Sequence, residues 1–306
     1  MVVDLDKLFS DISKLEVAVI GDVMLDTYWW GTVDRISPEG PVPVVAVTKK
    51  EQRIGGAGNV ALNAAAFGCD VALISVLGKD DEGKQLIEIL NNNNIDTSFI
   101  LFSEERVTTN KIRIIGRNQQ MMRLDAEHTD DLKKEEEKKI IKQVEKFINE
   151  NKPDVIILED YNKGVLTEEI IKNITLFKPN LKEVKESLHI LSDDVNEKML
   201  SEIHQQLKEK LNHTISLITL SEKGMFYEDE KESKIIPSHL RNVADVSGAG
   251  DTVIAVASLI YAATKNIHLS AEIANIAGGL VCEVVGTAAI DKEKLLEECK
   301  HLLTDL

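Results

Sequence analysis

The 306-residue chain lacks the features that several protein classes require. No apolar run reaches the ~18 residues of a membrane-spanning helix; the longest, around Val253 to Ala263, is broken by Ser258. Met1-Val2-Val3-Asp4 lacks the basic-then-apolar pattern of a secretory signal. Cysteine is scarce. Cys69, Cys282 and Cys299 are odd in number and widely spaced, which matches no zinc motif and suits the reduced thiols of a cytoplasmic protein. Basic residues are outnumbered, 36 Lys and Arg against 52 Asp and Glu, for a formal net charge of −16. Such a field disfavours sequence-independent binding to nucleic acid or an anionic membrane, so neither is expected as a partner. Internal repeats and long linkers are missing too. So is a Walker A loop, since Gly78-Lys79 runs into Asp80 without the upstream glycine.

What is present reads as an ordinary globular chain, 43% hydrophobic and 29% charged, long enough for one large domain or two small ones. Short apolar strands alternate with helices. Val17 to Ile20 reads as a buried strand, Gly56 to Phe67 as an Ala-rich helix, and Val71 to Val76 as the next strand. The pattern continues with helices over Asp81 to Leu90 and Leu132 to Glu150, then a strand over Val155 to Leu158. A strand over Ile215 to Leu220 and an apolar helix over Ala249 to Ala263 complete it. That alternation predicts a parallel sheet covered on both faces. Two stretches break the rhythm, Val42 to Thr48 and Ile100 to Leu124, where β-rich segments follow one another without helices. They predict a small antiparallel sheet outside the main one, either a pair of edge hairpins or a lid over a site.

The most informative segment is Asp245-Val246-Ser247-Gly248-Ala249-Gly250-Asp251-Thr252, which leads straight into the apolar helix. Glycines flanking Ala249 let backbone N–H groups converge at a helix N-terminus, where the macrodipole favours an anion. Asp251 is placed to take a proton from a hydroxyl attacking a phosphoryl group. A capped helix start with a structural acid is the plain alternative. Upstream, Gly55-Gly56-Ala57-Gly58-Asn59-Val60-Ala61-Leu62-Asn63 is a second Gly-rich helix start, which alone is also compatible with simple helix–sheet packing.

Together, in this order, these runs resemble the two signatures of the ribokinase-type carbohydrate kinases, the PfkB family. The resemblance implies an α/β fold, a ribokinase-like three-layer αβα sandwich with a mainly parallel sheet and a small β-sheet lid. It is read as one kinase domain over residues 1–306, with lid strands at about 34–50 and 98–125. It implies Gly248, Ala249 and Gly250 as the anion hole with Asp251 as base, and Gly55, Gly56 and Asn59 at the sugar. Asn180 and Glu183, in Asn180-Leu181-Lys182-Glu183, match the pattern that organises Mg²⁺ and the ATP phosphates through water, although the same pair could form a helix capping box. Thr219, Ser221 and Gly224 fall in the nucleotide-contacting loop, with Ser221 where glycine is usual, and Asn275 falls near the adenine. ATP and Mg²⁺ are the implied cofactors. A monovalent cation such as K⁺ is implied beside Asp245 and the loop around Gly286, with no ligand set legible.

Three further segments resemble the heptose-7-phosphate kinases of lipopolysaccharide-core precursor synthesis. They are Gly21 to Gly31, Arg35-Ile36-Ser37-Pro38-Glu39-Gly40-Pro41-Val42-Pro43-Val44-Val45, and Arg117 to Asp125. Asp26, read as the end of the first strand, matches the sugar-hydroxyl acceptor, because a carboxylate can accept from two adjacent hydroxyls. Lys111, Arg113, Arg117 and Arg123 form a basic group in the second β segment that could neutralise a substrate phosphate. The expected partners are thus a sugar phosphate and ATP, with a homodimer through the lid strands. A kinase for another sugar or nucleoside, or a non-catalytic sugar-binding homologue, are the alternative functions. The H-x-G-H motif of bifunctional relatives surrounds none of the seven histidines, so a kinase alone or a kinase fragment is expected. Between Gly164 and Lys178 the spacing leaves room for one short crossover helix and no additional strand.

Overall fold

In the computed structural model, residues 3–117, 119–167, 174–191, 194–239 and 241–303 are described. The N-terminal half runs α1 (Leu5–Ile12), β1 (Glu16–Gly21), β2 (Val23–Ile36), β3 (Pro43–Gly56), α2 (Ala57–Ala66), β4 (Asp70–Ile74), β5 (Val76–Gly78) and α3 (Asp81–Asn92). There follow β6 (Ile95–Asp96), β7 (Leu101–Ser103), β8 (Asn110–Gly116), β9 (Gln119–Ala126), α4 (Lys134–Asn151) and β10 (Val155–Glu159). The C-terminal half adds β11 (Leu176–Phe177), α5 (Leu181–Ser187), α6 (Glu197–Leu211), β12 (Ile215–Thr219), β13 (Met225–Glu228) and β14 (Ser233–Ile236). It closes with α7 (Ala249–Thr264), α8 (Ile267–Val281) and α9 (Lys292–Leu302).

The three layers follow from strand periodicity. Side chains alternate across a strand. In β1, Val17 and Val19 enter a core with α1, α2, α7 and α8, while Ala18 and Ile20 enter a second core with α4. Strand β4 divides in the same way, Val71 and Leu73 to one side, Ala72 and Ile74 to the other. A strand apolar on both faces must be covered on both, so β10-β1-β4-β6 is all parallel and sandwiched between helices. In the second half, β12 and β13 send Leu217, Met225 and Tyr227 into the first core and Ile218 and Phe226 against α5 and α6.

The outer sheet has the order β3-β2-β8-β9 and differs from the expected antiparallel arrangement. Its two hairpins are antiparallel inside, but their outgoing strands β2 and β8 lie side by side in parallel, Asp26 opposite Lys111. Both outgoing strands leave the body in the same direction, so their pairing has no choice of sense. Asp26 is also not at the end of the first strand. That strand stops at Gly21, and Asp26 lies in β2, which carries it into the outer sheet. The expectation of no strand between Gly164 and Lys178 is corrected as well. Leu176 and Phe177 pair in parallel with Ile215 and Ser216, a two-residue strand that a length argument cannot detect. The crossover helix expected there falls partly outside the described residues. No helix among the described residues is long and apolar enough to cross a membrane.

Candidate active site

The two glycine-rich runs are distant in sequence and meet in space. Asp251 stands in the first turn of α7 and is only 2% exposed. Its Oδ2 accepts from Asn59 Nδ2 at 2.8 Å, and Asn59 stands in the first turn of α2. Gly248 caps α7 with φ +77°, and a Cβ there would sit 2.7 Å from Asn59 Nδ2. Only glycine gives both the left-handed backbone and the close approach. One turn further on, Asn63 Nδ2 donates to the Asn59 carbonyl at 2.8 Å, and Asn63 Oδ1 accepts from Thr252 Oγ1 and from the Ile290 amide. A buried polar seam therefore locks α2 to α7 and aims the Asp251 carboxylate.

The other Asp251 oxygen, Oδ1, accepts from the Tyr161 hydroxyl at 2.7 Å. Burial raises the Asp251 pKa, opposed by these two hydrogen bonds and by the Lys178 charge. Lys178 also flanks the helix start, for a Cβ on Gly250 would lie 3.7 Å from its Nζ. The Glu159 carboxyl is shifted upward by burial first and then by the Asp251 charge. An ammonium, a helix start and a buried carboxylate therefore come together near the C-terminal ends of β1 and β10, where open α/β sheets place their ligands, and the Ala249 amide at that helix start donates to the Val246 carbonyl at 3.3 Å.

The lid side is built from β2, β3 and β8. Asp26, 4% exposed, pairs with Arg113 Nη1 at 2.5 Å. A Cβ on Gly55 would stand 2.5 Å from Asp26 Oδ2, so the glycine leaves that carboxylate open. Gly56, with φ +59°, turns the chain from β3 into α2. Lys111 lies over the Tyr161 ring, 5.3 Å from its centroid, and burial lowers its pKa. Arg123 is opposite Arg113 in the β8–β9 register and forms a two-armed pair with Asp125 at 2.9 and 2.8 Å. Arg117 is not brought to this group. It sits in the β8–β9 turn with φ +51° and donates to the Val33 carbonyl at 2.6 Å, at the far end of the lid.

The expected nucleotide residues gather around the C-terminal strands. Asn180 and Glu183 form the complete capping box of α5, the Asn180 side chain accepting from the Glu183 amide and the Glu183 side chain from the Asn180 amide, both at 2.9 Å. Asn180 also bridges Thr219 in parallel. Ser221 takes φ +55°, the conformation in which glycine is more usual. Gly224, with φ +96°, donates to the Ser221 carbonyl at 3.1 Å. Asn275 is buried on α8 and donates to the Pro237 carbonyl at 2.8 Å.

Asp245 accepts from Ser247 N and Oγ and from Gly286 N, at 2.8 to 2.9 Å. Burial works to raise its pKa, but these donors outweigh it and hold the group low. In the facing loop, Arg53 Nη1 donates to the Val285 carbonyl at 2.6 Å and the Thr287 carbonyl at 3.1 Å. Those two carbonyls are thus already engaged by a guanidinium. Among the described residues no group of three or more His, Cys, Asp or Glu is placed to hold a metal by itself. A divalent ion would therefore need phosphate oxygens and water as well as Glu159 or Glu183, the usual way of holding Mg²⁺.

Tyr161, Lys178, Glu159, Arg53 and Asp22, whose carboxylate holds the Tyr161 amide, were not singled out from sequence. The signal available was positional. Glu159 and Tyr161 follow directly on the C-terminal end of a predicted parallel strand, the edge where such sheets carry their sites.

An α/β phosphotransferase with a sugar hydroxyl as acceptor is the class that this fold and pocket define. A model of the pfkB family of carbohydrate kinases matches residues 14–157 and 139–294, and the chain belongs to that family. Curated relatives include the bifunctional protein HldE of Nitratiruptor sp., 38% identical over 93% of this chain and 65% of that protein. The HldE of Aliarcobacter butzleri is 39% identical over 93% of this chain and 64% of that protein. The chain thus spans just under two thirds of the length of these relatives. Among solved structures, phosphofructokinase-2 from Escherichia coli in its tetrameric inhibited form superposes with a TM-score of 0.74 at 15% identity, over 94% of this chain and 99% of that one. Arabidopsis thaliana ribokinase complexed with ribose and ATP gives 0.69 at 16% identity, over 93% and 99%.

Proposed function

We propose that this chain transfers the γ-phosphoryl group of ATP to the C1 hydroxyl of D-glycero-D-manno-heptose 7-phosphate, giving the 1,7-bisphosphate. The observation that carries the reading is Asp251, a buried carboxylate aimed by Asn59 at the N-terminus of α7, with Asp26 close enough for its charge to be felt. The similarity to HldE proteins and the lid segments Gly21 to Gly31 and Arg35 to Val45 favour heptose over other sugars.

In the reaction the sugar oxygen attacks the γ-phosphorus, its proton passes to an Asp251 oxygen, and the bond to the β-phosphate oxygen breaks to release ADP. The N–H groups at Gly248, Ala249 and Gly250, with Lys178, stabilise the charge on the phosphoryl oxygens. Glu159 and Glu183, with Asn180 alongside, would hold Mg²⁺ through water, and the ion would supply further neutralisation of the triphosphate. Thr219, Ser221, Gly224 and Asn275 form the nucleotide side. Asp26, Gly55 and Gly56 receive the sugar hydroxyls, and Lys111, Arg113 and Arg123 receive the remote phosphate. Arg117 drops out of that group. A monovalent cation such as K⁺ would lie beside Asp245 and the loop around Gly286, and the reading does not depend on one. Residues 1–306 act as one cytoplasmic kinase domain, paired with a second copy through the lid.

The test is ADP release with a panel of sugar phosphates, with ³¹P NMR of the product. The expected result is turnover on heptose 7-phosphate and a new phosphate resonance coupled to the anomeric proton. Faster turnover on another sugar would replace the substrate, and none on any sugar would remove the assignment.

A further inference from the structure

The loop after β10 carries a side chain that the chemistry above does not use. Tyr161 donates its hydroxyl to Asp251 Oδ1 at 2.7 Å, while Asn59 holds Oδ2. Its own placement comes from the core. The Asp22 carboxylate, 1% exposed, accepts from the amides of Tyr161 and Lys163 at 2.9 Å and of Val165 at 3.1 Å. The loop backbone is thereby wound around one buried anion, which fixes where the tyrosine leaves the chain, and the bond to Asp251 then holds the side chain itself. From the lid, Lys111 rests 5.3 Å from the ring centroid.

We propose that Tyr161 is a positioning residue for Asp251, holding the buried carboxylate in its working orientation and ionised. This rests on the reading of Asp251 as the base. A buried carboxylate tends to take up a proton, and a protonated one cannot act as base. The charged groups that act on Asp251 are Asp26 from β2, Glu159 from the end of β10 and Lys178 before α5. Asp26 and Glu159 are carboxylates and favour protonation, and Lys178 opposes it. The neutral donors Tyr161 and Asn59 supply the remaining stabilisation of the anion. Burial, then the charges of Asp251 and Glu159, push the phenol far above its ordinary pKa, so it remains a donor throughout the working range. Each carboxylate oxygen can accept twice, so the sugar hydroxyl can bind Asp251 while the tyrosine stays in place.

Tyr161→Phe removes one oxygen and leaves the ring under Lys111. Losing one charged hydrogen bond corresponds to roughly a tenfold fall in kcat at neutral pH and about one unit of upward movement in the acidic limb of kcat. KM for ATP should stay within about twofold, because a role confined to Asp251 adds nothing to nucleotide binding. A merely structural residue would lower kcat in parallel at every pH without moving the limb. The second measurement needs no substrate: ¹³C NMR titration of carboxyl-labelled aspartate, with Asp251 assigned through Asp251→Asn. The Asp251 resonance should titrate higher in Tyr161→Phe than in the unaltered chain. An unmoved resonance in a folded variant overturns the proposal whatever the sugar is. An inactive unaltered chain whose resonance still shifts would overturn the heptose assignment and leave Tyr161 standing.

Discussion

Asp251 is the residue on which the proposed chemistry turns. General-base assistance is typically worth ~10²–10⁴ in rate, and Asn is nearly isosteric but cannot accept the proton. Asp251→Asn should therefore lose at least ~10² in kcat while its melting curve stays cooperative. A variant turning over at near the original rate would make Asp251 a helix cap. The basic lid residues divide on geometry. Arg113 is paired with buried Asp26, whereas Arg117 serves a carbonyl at the lid tip. Arg113→Met strands a buried carboxylate, and the loss of a charged hydrogen bond is worth ~1.5–3 kcal/mol, or roughly 10- to 100-fold in KM for the sugar phosphate. Arg117→Met should leave that KM within about twofold; equal effects would mean that the tip reaches the substrate.

Among the elements, the seam between α2 and α7 is the most exposed to single changes. Asn63→Ala removes the acceptor of Thr252 Oγ1 and of the Ile290 amide, both buried. A buried donor left without a partner costs about 1–3 kcal/mol, so a lower urea midpoint with unchanged slope is the expected result. A second buried polar group joins α6 to β12. Ser216 Oγ lies 2.9 Å from His204 Nδ1 and 2.7 Å from His213 Nε2. Burial pushes the His213 pKa down to about 4, with the neighbouring His204 adding to it, and burial lowers that of His204 too. The unfolded chain, with histidines near ~6.5, binds more protons than the native one between that value and about 4. Stability should consequently fall as the pH drops through that window and be insensitive to these groups above it. Urea melts at pH 7.5 and 5 would show this, and His213→Gln should flatten the dependence.

For the whole molecule, the proposed pairing of two copies rests on the lid. Strand β9 is exposed at every residue, and Met121, Met122 and Leu124 on it, with Ile36, Val42 and Val47 on the neighbouring hairpin, leave apolar surface in water. Such a sheet with open edges invites a second copy. Met122→Lys with Leu124→Lys should convert a dimer into monomer by sedimentation, and a monomeric unaltered chain would remove the lid from assembly.

The local sequence determined the elements that answer to periodicity and to glycine. The buried strand at Val17 to Ile20, the helix starts after Gly56 and Gly248 and the apolar α7 were all legible, because their signals lie within a few residues. The place of Asp251 in the first turn of that helix was legible for the same reason. The tertiary structure alone decided which distant groups face one another. Asp26 belongs to the lid instead of the first strand because Gly21 and buried Asp22 break the chain between them. The β2–β8 pairing is parallel because two hairpins leave the body in the same direction. The short strand Leu176–Phe177 exists only because β12 lies beside it. Tyr161 meets Asp251, and Arg53 meets the 285–287 loop, across sequence separations of 90 and more than 230 residues. Charge and hydrogen bonding act through space, and no local pattern encodes a contact whose partners the chain brings together only on folding.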